Sequence, residues 1–256
     1  MLLTIDSGNT NTVFAIFDGK ELKGLWRSTT NAQRTVDEYA AFLKMMMMQA
    51  DLDPKDVTDA IIGSVVPDTN FNLLKLCHDH FDCEPLFIGA PNVKTGIKVD
   101  IDRPEELGAD RLINAVAGKD LYNTPLLIID FGTATTFDVL DEKGTYCGGA
   151  IAPGVNLSIR ALHMAAAKLP SVAVARPANV IGKDTVSAIQ SGVFWGYVGM
   201  IEGLISRMKD EFDMPMKVVA TGGLSRLFTH AIESIDETNM DLTLHGLYLI
   251  HQMNKK

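Results

Sequence analysis

The sequence predicts an α/β protein made of two similar halves. Two stretches, beginning at Leu2 and Leu126, each contain a run of branched apolar residues that ends in an aspartate, then a small turn rich in glycine and hydroxyl residues, then more apolar residues. This pattern is typical of a buried strand, a tight turn and a second strand. At a fixed offset the two stretches share Leu2 with Leu126, Leu3 with Leu127, Ile5 with Ile129, Asp6 with Asp130, Gly8 with Gly132 and Thr12 with Thr136. The offset is close to half of the 256-residue chain, which indicates an internal duplication.

The composition supports two domains and excludes some classes of partner. With 46% hydrophobic and 21% charged residues, the chain can bury a substantial core. Its formal charge of −9 and pI near 5.1 argue against nucleic acid or an acidic membrane as partner, because phosphate-rich surfaces are held by basic ones. A small anionic substrate needs only one or two local cations and oriented amides, and is therefore compatible with this charge.

The cysteines and the apolar runs predict a cytoplasmic location. Cys77, Cys83 and Cys147 are an odd and sparse set, which argues against a disulfide framework and favours a reducing compartment. No signal-like segment and no run of eighteen apolar residues is found. We therefore expect a soluble protein of the cytoplasm.

The first half predicts a hairpin followed by alternating helices and strands. Val13 to Phe17 and Leu22 to Ser28 continue the first sheet, and Thr35 to Gln49 has helical spacing. Four consecutive methionines in that helix are better explained as core and partly exposed surface than as a soft binding surface. Asp59 to Pro67 predicts a parallel core strand, and Phe71 to Phe81 a helix.

Cys77, His78, His80 and Cys83 form a potential metal-ligand set around the end of that helix. On a helix, residues three or four positions apart are neighbours, so Cys77 and His80 can meet while His78 points elsewhere. A zinc site requires four convergent ligands. The spacing therefore favours a helix end with its polar face in water.

The segment Gly108-Ala109-Asp110-Arg111 follows Pro104 and two glutamates, which suit the first turn of a helix. Exposed amides at a helix N-terminus favour a carboxylate or phosphate ligand, which makes the segment a candidate binding site. A helix cap with a surface ion pair explains the same residues equally well.

The second half repeats the order of strand, turn and strand. The glycine-rich segment from Gly144 to Gly154 then predicts a close backbone approach, either to a ligand or between packed elements. Pro170 to Ile181 predicts a loop long enough to be a functional segment or an interface arm. A long helix is predicted from Asp184-Thr185 to Phe212. Its glycines at spacings of three and four suit either core packing or pairing with a helix of a second subunit; they are Gly192, Gly196, Gly199 and Gly203.

Two further elements complete the second half. Lys217 to Leu224 predicts a strand running into a Gly-Gly turn, which can hold a flat group such as adenosine or simply connect a strand to a helix. Leu242 to Met253 predicts an amphipathic helix that closes this half.

Asp6 and Asp130, at the ends of equivalent strands, raise a question of charge. Carboxylates in one site repel each other unless a cation or a proton lies between them. Mg²⁺ bound to phosphate resolves this repulsion, because the ion takes one or two protein carboxylates and leaves other positions to water and phosphate. Either aspartate alone is equally well an Asx-turn residue, but the matched pair favours a magnesium-phosphate site.

Several motifs together resemble the superfamily of acetate kinase, sugar kinases, heat-shock chaperones and actin. The turns at Asp6 and Asp130 are similar to its two phosphate motifs, and Ala220-Thr221-Gly222-Gly223 to its adenosine motif. Within it the chain resembles type III pantothenate kinase from Met1 to about Leu247. The motifs specific to that family are Gly108-Ala109-Asp110-Arg111, Gly148-Gly149-Ala150-Ile151-Ala152-Pro153-Gly154, Thr185 with Ala188 to Gly192, Gly196-Tyr197 and Ile201 to Leu204.

The resemblance implies a fold of two duplicated ribonuclease H-like domains, the actin-like ATPase fold, with the active-site cleft between them. We place these domains at residues 1–118 and 119–256. It also implies a homodimer, ATP-dependent phosphorylation of the primary hydroxyl of pantothenate to 4′-phosphopantothenate, and thus the first step of coenzyme A biosynthesis.

The same resemblance implies a role for individual residues. Asp110 is the proton acceptor, Asp130 binds a monovalent cation, K⁺ or NH₄⁺, and Thr185 reaches the substrate across the dimer interface. Mg²⁺ accompanies ATP. Pantothenate is held by Gly108, Ala109, Asp110, Arg111 and Thr185. ATP is held by Asp6, Ser7, Gly8, Asn9, Thr10, Asn11, Thr12, Val13 and Thr133.

One position departs from the family pattern. Where the family often has a tyrosine before the Gly108 motif, this chain has Ile101, which affects the expected shape of the pantothenate pocket.

A nucleotide-binding regulatory accessory factor on the same fold is the alternative function, and the intact Gly108–Arg111 motif argues against it. A sugar kinase or phosphatase is disfavoured by the same motif and by the Gly148 to Gly154 segment, although the fold alone does not exclude it.

Overall fold

The computed structural model describes residues 1–166 and 169–255, and the chain divides into two compact units. The first unit contains Met1–Gly96, Glu105–Ala117 and the segment from Leu242 onwards. The second contains Ile97–Pro104 and Gly118–Asp241. The division of the duplicated chain into contiguous domains 1–118 and 119–256 stays a prediction. The two compact units differ from these domains in two segments: residues 97–104 belong to the second unit, and the carboxyl-terminal helix belongs to the first.

The described residues form ten strands and seven α-helices. The strands are β1 (Leu2–Ser7), β2 (Asn11–Asp18), β3 (Glu21–Thr29), β4 (Asp59–Ser64), β5 (Leu86–Phe87), β6 (Leu126–Phe131), β7 (Ala134–Leu140), β8 (Tyr146–Pro153), β9 (Lys217–Thr221) and β10 (Glu237–Thr238). The helices are α1 (Val36–Gln49), α2 (Pro67–Phe81), α3 (Ala109–Leu121), α4 (Val155–Ala165), α5 (Thr185–Phe212), α6 (Ser225–Thr229) and α7 (Leu242–Asn254).

Each unit has a five-stranded sheet with the same topology. The first sheet has the order β3-β2-β1-β4-β5 and the second β8-β7-β6-β9-β10. In each, the first three strands of the half pair antiparallel, and the fourth and fifth add in parallel. The prediction of a duplicated α/β fold is therefore confirmed.

Parallel pairing places the ends of particular strands side by side in each sheet. β1 pairs with β4, so that Ser7 lies opposite Ser64, and β6 pairs with β9, so that Asp130 lies opposite Thr221. β1 and β6 are buried over most of their length, which explains their nearly continuous apolar sequences. The turns after these two strands consequently lie at the carboxyl edge of their sheets, where ligands bind in open α/β sheets.

The helices of the first unit follow the predicted spacing. Thr35 caps α1 in a capping box with Glu38, and Met47 is fully buried whereas Met48 is exposed. The explanation of the methionine run as core and partly exposed helix is confirmed. Helix α2 begins at Pro67, four residues before the prediction, because proline is well suited to the first helical position.

The cysteines and histidines around the end of α2 have separate partners. His78 lies 3.2 Å from Glu84 and His80 lies 3.3 Å from Asp37, while the Cys83 thiol contacts the Cys77 carbonyl at 3.9 Å. Within residues 1–166 and 169–255, no three His, Cys, Asp or Glu side chains are grouped to hold a metal ion.

Helix α7 packs in the first unit, and the prediction that it closes the second half is wrong. It lies against β1 and β4, and its Leu244 and Leu247 are buried. A Cβ atom on Gly246 would lie 2.3 Å from the carbonyl oxygen of Ile113 in α3, so this glycine permits close helix packing. Helical periodicity predicts an apolar face but not the sheet that covers it.

The second unit has an aromatic core between its sheet and α5. The ring of Phe228 lies 5.7 Å from that of Phe131, 5.2 Å from Phe194 and 4.9 Å from Tyr197, centroid to centroid. Helix α5 begins at the predicted Thr185, capped by Asp184. In the part of the chain that the structure describes, no helix is long and apolar enough to cross a membrane.

Candidate active site

The first predicted phosphate turn connects β1 to β2 and is closed by a hydrogen bond from the Gly8 N–H to the Asn11 carbonyl at 3.1 Å. Asn9, Thr10 and Asn11 are exposed, and Val13 is half-buried in β2. Asp6 is half-buried at the end of β1 and lies opposite Gly63 in the parallel pair. The exposed part of this turn is therefore formed by three of the predicted nucleotide-binding residues.

Two other predicted nucleotide-binding residues direct their hydroxyls into the protein. Ser7 and Thr12 are fully buried, and their hydroxyl oxygens are 3.4 Å apart. Ser7 also contacts the Thr69 hydroxyl at 3.0 Å, and Thr12 contacts the Thr30 hydroxyl at 3.0 Å. Thr30 and Thr69 carry no local sequence signal, because each is distant in sequence from the hydroxyl that it contacts.

The Gly108–Arg111 motif lies at the beginning of α3, where the Asp110 carboxylate accepts the Arg111 N–H at 2.8 Å. A Cβ on Gly108 would lie 3.8 Å from Val65, whose N–H donates to the Ser7 carbonyl at 3.0 Å. The motif and the end of β1 are therefore neighbours at one edge of the first sheet. The motifs predict both features but not their contact through the loop after β4.

Helix α7 supports α3 from behind. The Thr243 hydroxyl donates to the Asn114 side-chain oxygen at 2.7 Å, in the turn of α3 after Asp110 and Arg111. Gly63 of β4 permits the approach of Ile113, because a Cβ there would lie 2.4 Å from the Ile113 side chain. A lone glycine within a helical or strand pattern is the sequence signal that could have indicated this packing at Gly246 and Gly63.

The second predicted phosphate turn follows β6, with Asp130 half-buried and Thr133 exposed. Two glycines lie directly against it. A Cβ on Gly222 would lie 2.3 Å from Asp130 Oδ1, and a Cβ on Gly154 would lie 2.2 Å from the Thr133 carbonyl oxygen. Three separate sequence motifs thus converge on one turn in the second unit, and the glycines are required because no side chain fits there.

Tyr197 of α5 supports this turn from below. Its hydroxyl forms a hydrogen bond with the hydroxyl of Thr135, and both residues are buried. Burial raises the pKa of Tyr197, while hydrogen bonds from Thr135 and from the Val155 backbone act in the opposite direction. The phenol remains protonated at neutral pH and is able to donate a hydrogen bond.

Asp130 has the chemistry of a cation ligand. Its carboxylate oxygen lies in the space that a side chain at residue 222 would occupy, so Gly222 leaves this side of the carboxylate uncovered by a side chain. Hard cations are held by oxygen ligands, and the Asp130 carboxylate supplies such ligands. The residues present therefore fit a bound cation.

Thr185 is the first residue of α5 and is exposed. It lines a groove of about 640 Å³ together with residues of α4 and α5, among them Leu162, Ile189 and Gly192. Among the described residues, no atom comes within 4 Å of a Cβ added to Gly192, Gly196 or Gly199. Of the two explanations for these glycines, packing in the core of the same chain is therefore wrong.

Ile101 belongs to the second unit, although it precedes the Gly108 motif in sequence. Its segment adds to β8 through hydrogen bonds between Tyr146 and both Lys98 and Asp100, at 2.9 and 2.8 Å. A Cβ on Gly148 would lie 3.7 Å from the Ile101 side chain. The departure from the family pattern is therefore located beside the glycine-rich strand.

Comparison with known proteins gives one family. The model of type III pantothenate kinase matches residues 2–207. The type III pantothenate kinase of Rhodospirillum rubrum is 56% identical over 255 residues, covering 100% of this chain and 99% of that protein. These matches confirm the family predicted from the motifs.

Two solved structures show the same fold at low identity. A conserved protein of Campylobacter jejuni, described as a candidate Baf family transcriptional activator, has a TM-score of 0.63 at 19% identity, covering 98% of each chain. The ROK hexokinase of Thermus thermophilus has a TM-score of 0.53 at 14% identity, covering 99% of each chain. The predicted fold class is thereby confirmed.

We predict that Gly222→Ala destabilises the second unit by about 2–5 kcal/mol, because the new Cβ would clash with Asp130 and Phe131 at a backbone φ of +88°. Nucleotide affinity should fall with it. Thermal unfolding and ATP titration measure the two effects. Gly223→Ala is the matched control, because nothing lies within 4 Å of its Cβ. Equal stability of the two variants would contradict the close approach.

Proposed function

The chain belongs to the type III pantothenate kinase family, and from this premise we propose that it transfers the terminal phosphoryl group of ATP to the primary hydroxyl of pantothenate. This reaction is the first step of coenzyme A biosynthesis and takes place in the cytoplasm. The observation that carries the proposal is the position of Gly108–Arg111, at the start of α3 beside the end of β1. A motif suited to a substrate with a carboxylate and a hydroxyl group therefore lies beside a phosphate-binding turn, at the same edge of the first sheet.

We assign ATP to the first turn, Asp6 to Val13, and to Thr133. The exposed Asn9, Thr10 and Asn11 have small polar side chains. Backbone N–H groups in turns of this kind bind phosphate. Asp6 and the phosphates would hold Mg²⁺, which would supply charge neutralisation. The hydroxyls of Ser7 and Thr12 support the turn from inside, so their part in binding is indirect.

We assign pantothenate to Gly108, Ala109, Asp110 and Arg111. Arg111 and the N-terminal amides of α3 suit the carboxylate of the substrate. The Asp110 carboxylate accepts one backbone N–H and retains further lone pairs for the substrate hydroxyl. In a loose phosphoryl-transfer transition state the attacking hydroxyl loses its proton late, and a nearby carboxylate is a suitable acceptor.

We further propose that Asp130 binds K⁺ or NH₄⁺ and that the protein acts as a homodimer in which Thr185 reaches the substrate of the neighbour. Thr185 lines an open groove, and α4 beside it exposes Met164 and Leu162 at 83% and 39%. Exposed apolar patches of this kind mark protein interfaces. The bare glycine face of α5 is suited to close contact with another helix. No feature of the described residues favours the regulatory alternative.

The first prediction from the proposed function concerns the reaction itself. The purified protein with ATP, Mg²⁺ and K⁺ should release ADP only when pantothenate is present. Asp110→Asn should lower kcat by about 10²–10⁴-fold, because the proton acceptor is lost, while ATP binding persists. Asp210→Asn, an exposed carboxylate of α5, is the control and should retain activity. The absence of pantothenate-dependent ADP release from the wild type would overturn the proposed function.

The second prediction concerns the monovalent cation. Asp130→Asn removes the charge from the proposed ligand, so the K⁺ concentration for half-maximal activity should rise by about tenfold or more. The measurement is an activity titration with K⁺, NH₄⁺ and Na⁺ at constant ionic strength. If Asp130→Asn responds to K⁺ as the wild type does, the cation is held elsewhere.

The third prediction concerns the dimer. Met164→Glu places a charge on the exposed apolar surface of α4, so the light-scattering mass should fall from dimer to monomer. The KM for pantothenate should rise with dissociation, because Thr185 no longer reaches the neighbouring site. Met48→Glu, on the exposed side of α1, is the matched control and should remain a dimer. A wild type that is monomeric at assay concentration would exclude this arrangement.

A further inference from the structure

Four hydroxyl groups form a continuous chain beneath the first phosphate turn. It runs from the Val66 carbonyl through Thr69, Ser7, Thr12 and Thr30 to the Gly8 carbonyl. The five separations along it are 2.9, 3.0, 3.4, 3.0 and 2.6 Å. Thr69, Ser7 and Thr12 are almost completely buried, and Thr30 is half-buried.

The number of protons limits the directions that this chain can take. Four hydroxyls supply four protons to five links, so one link has no proton. Thr69 donates to the Val66 carbonyl and Thr30 to the Gly8 carbonyl, which leaves the protons of Ser7 and Thr12 for the three inner links. These two protons can be placed in three ways. The inner link left without a proton is assigned to the longest one, Ser7 to Thr12 at 3.4 Å, so that Ser7 donates to Thr69 and Thr12 to Thr30.

Thr30 holds the carbonyl side of the turn in two ways. Its hydroxyl donates to the Gly8 carbonyl at 2.6 Å, and its backbone N–H donates to the Thr10 carbonyl at 3.0 Å. The Asn11 carbonyl accepts the Gly8 N–H. Three carbonyl oxygens, which would repel a phosphate, are thus engaged by donors within the protein. A turn that binds an anion needs its carbonyl oxygens to be engaged in this way, so that they do not face the anion.

We propose that Thr30 and Thr69 are positioning residues for the nucleotide. Thr30, after β3, fixes the carbonyls of the first phosphate turn, and Thr69, in the first turn of α2, fixes Ser7 at the end of β1. The hydroxyl chain connects a hairpin and a helix to the turn. It thereby preorganises the turn for phosphate binding. This inference rests on the proposed assignment of ATP to the first turn.

The test is steady-state kinetics of Thr30→Val and Thr69→Val, which keep the side-chain shape and remove the hydroxyl. Loss of a donor to the partly buried Gly8 carbonyl should raise the KM for ATP roughly tenfold in Thr30→Val. The KM for pantothenate should stay within about twofold of the wild type. Thr69→Val should show the same pattern to a smaller degree, because it acts on the turn through Ser7.

Two sets of controls separate positioning from general destabilisation. Thr30→Ser and Thr69→Ser keep the hydroxyl and should restore the KM for ATP. Thr4→Val removes a buried hydroxyl of β1 that faces the Ala15 carbonyl at 3.4 Å, away from the turn, and should leave that KM unchanged. All variants are also compared by thermal unfolding.

The positioning role and the proposed function would be overturned by different results. A wild-type KM for ATP in both Val variants, or equal increases in the two KM values, would overturn the positioning role. So would a failure of the Ser variants to restore ATP affinity. A wild type without pantothenate-dependent ADP release would instead overturn the proposed function, which the same assay detects before any variant is compared.

Discussion

The parallel pairing of β1 with β4 is the constraint on which the candidate site of the first unit depends. It places the turn after Ser7 beside the loop after Ser64, and Val65 in that loop contacts both the Ser7 carbonyl and the region of Gly108. A binding motif that is about a hundred residues away in sequence is thereby brought to the phosphate turn. The pairing of β6 with β9 has the same effect in the second unit, where it brings Gly222 to Asp130.

Much of the fold was predictable because it depends on local patterns. Runs of branched residues ending in Asp6 and Asp130 indicated the two central strands, and Thr35 and Asp184 indicated the beginnings of α1 and α5. The position of α7 was not predictable, since an apolar helix face fits either sheet equally well. Its contact with the first unit depends on two glycines, Gly63 of β4 and Gly246 of α7 itself, and a lone glycine signals close packing without identifying the partner.

The candidate site was predictable in its motifs but not in the direction of its side chains. Gly108 to Arg111 and the two turns are recognisable from spacing. The sequence gives no indication that Ser7 and Thr12 point inward while Asn9 points outward, because all three are polar residues of the same short segment. That outcome depends on Thr69, 62 residues from Ser7, and on Thr30, 18 residues from Thr12. Hydrogen bonds over such separations are set by tertiary packing rather than by local preference.

The two halves stabilise equivalent turns by different chemistry. The residue at the position of Ser7 is Phe131 in the second half, and its ring stacks on Phe228 at 5.7 Å. The residue at the position of Thr12 is Thr136, whose hydroxyl donates to Asp138 at 3.0 Å. A hydroxyl chain therefore cannot form there, and the second turn is fixed by aromatic packing and by the close approach of Gly154 and Gly222. Removal of one hydroxyl should consequently affect only the first turn, whereas a methyl group at Gly222 affects only the second.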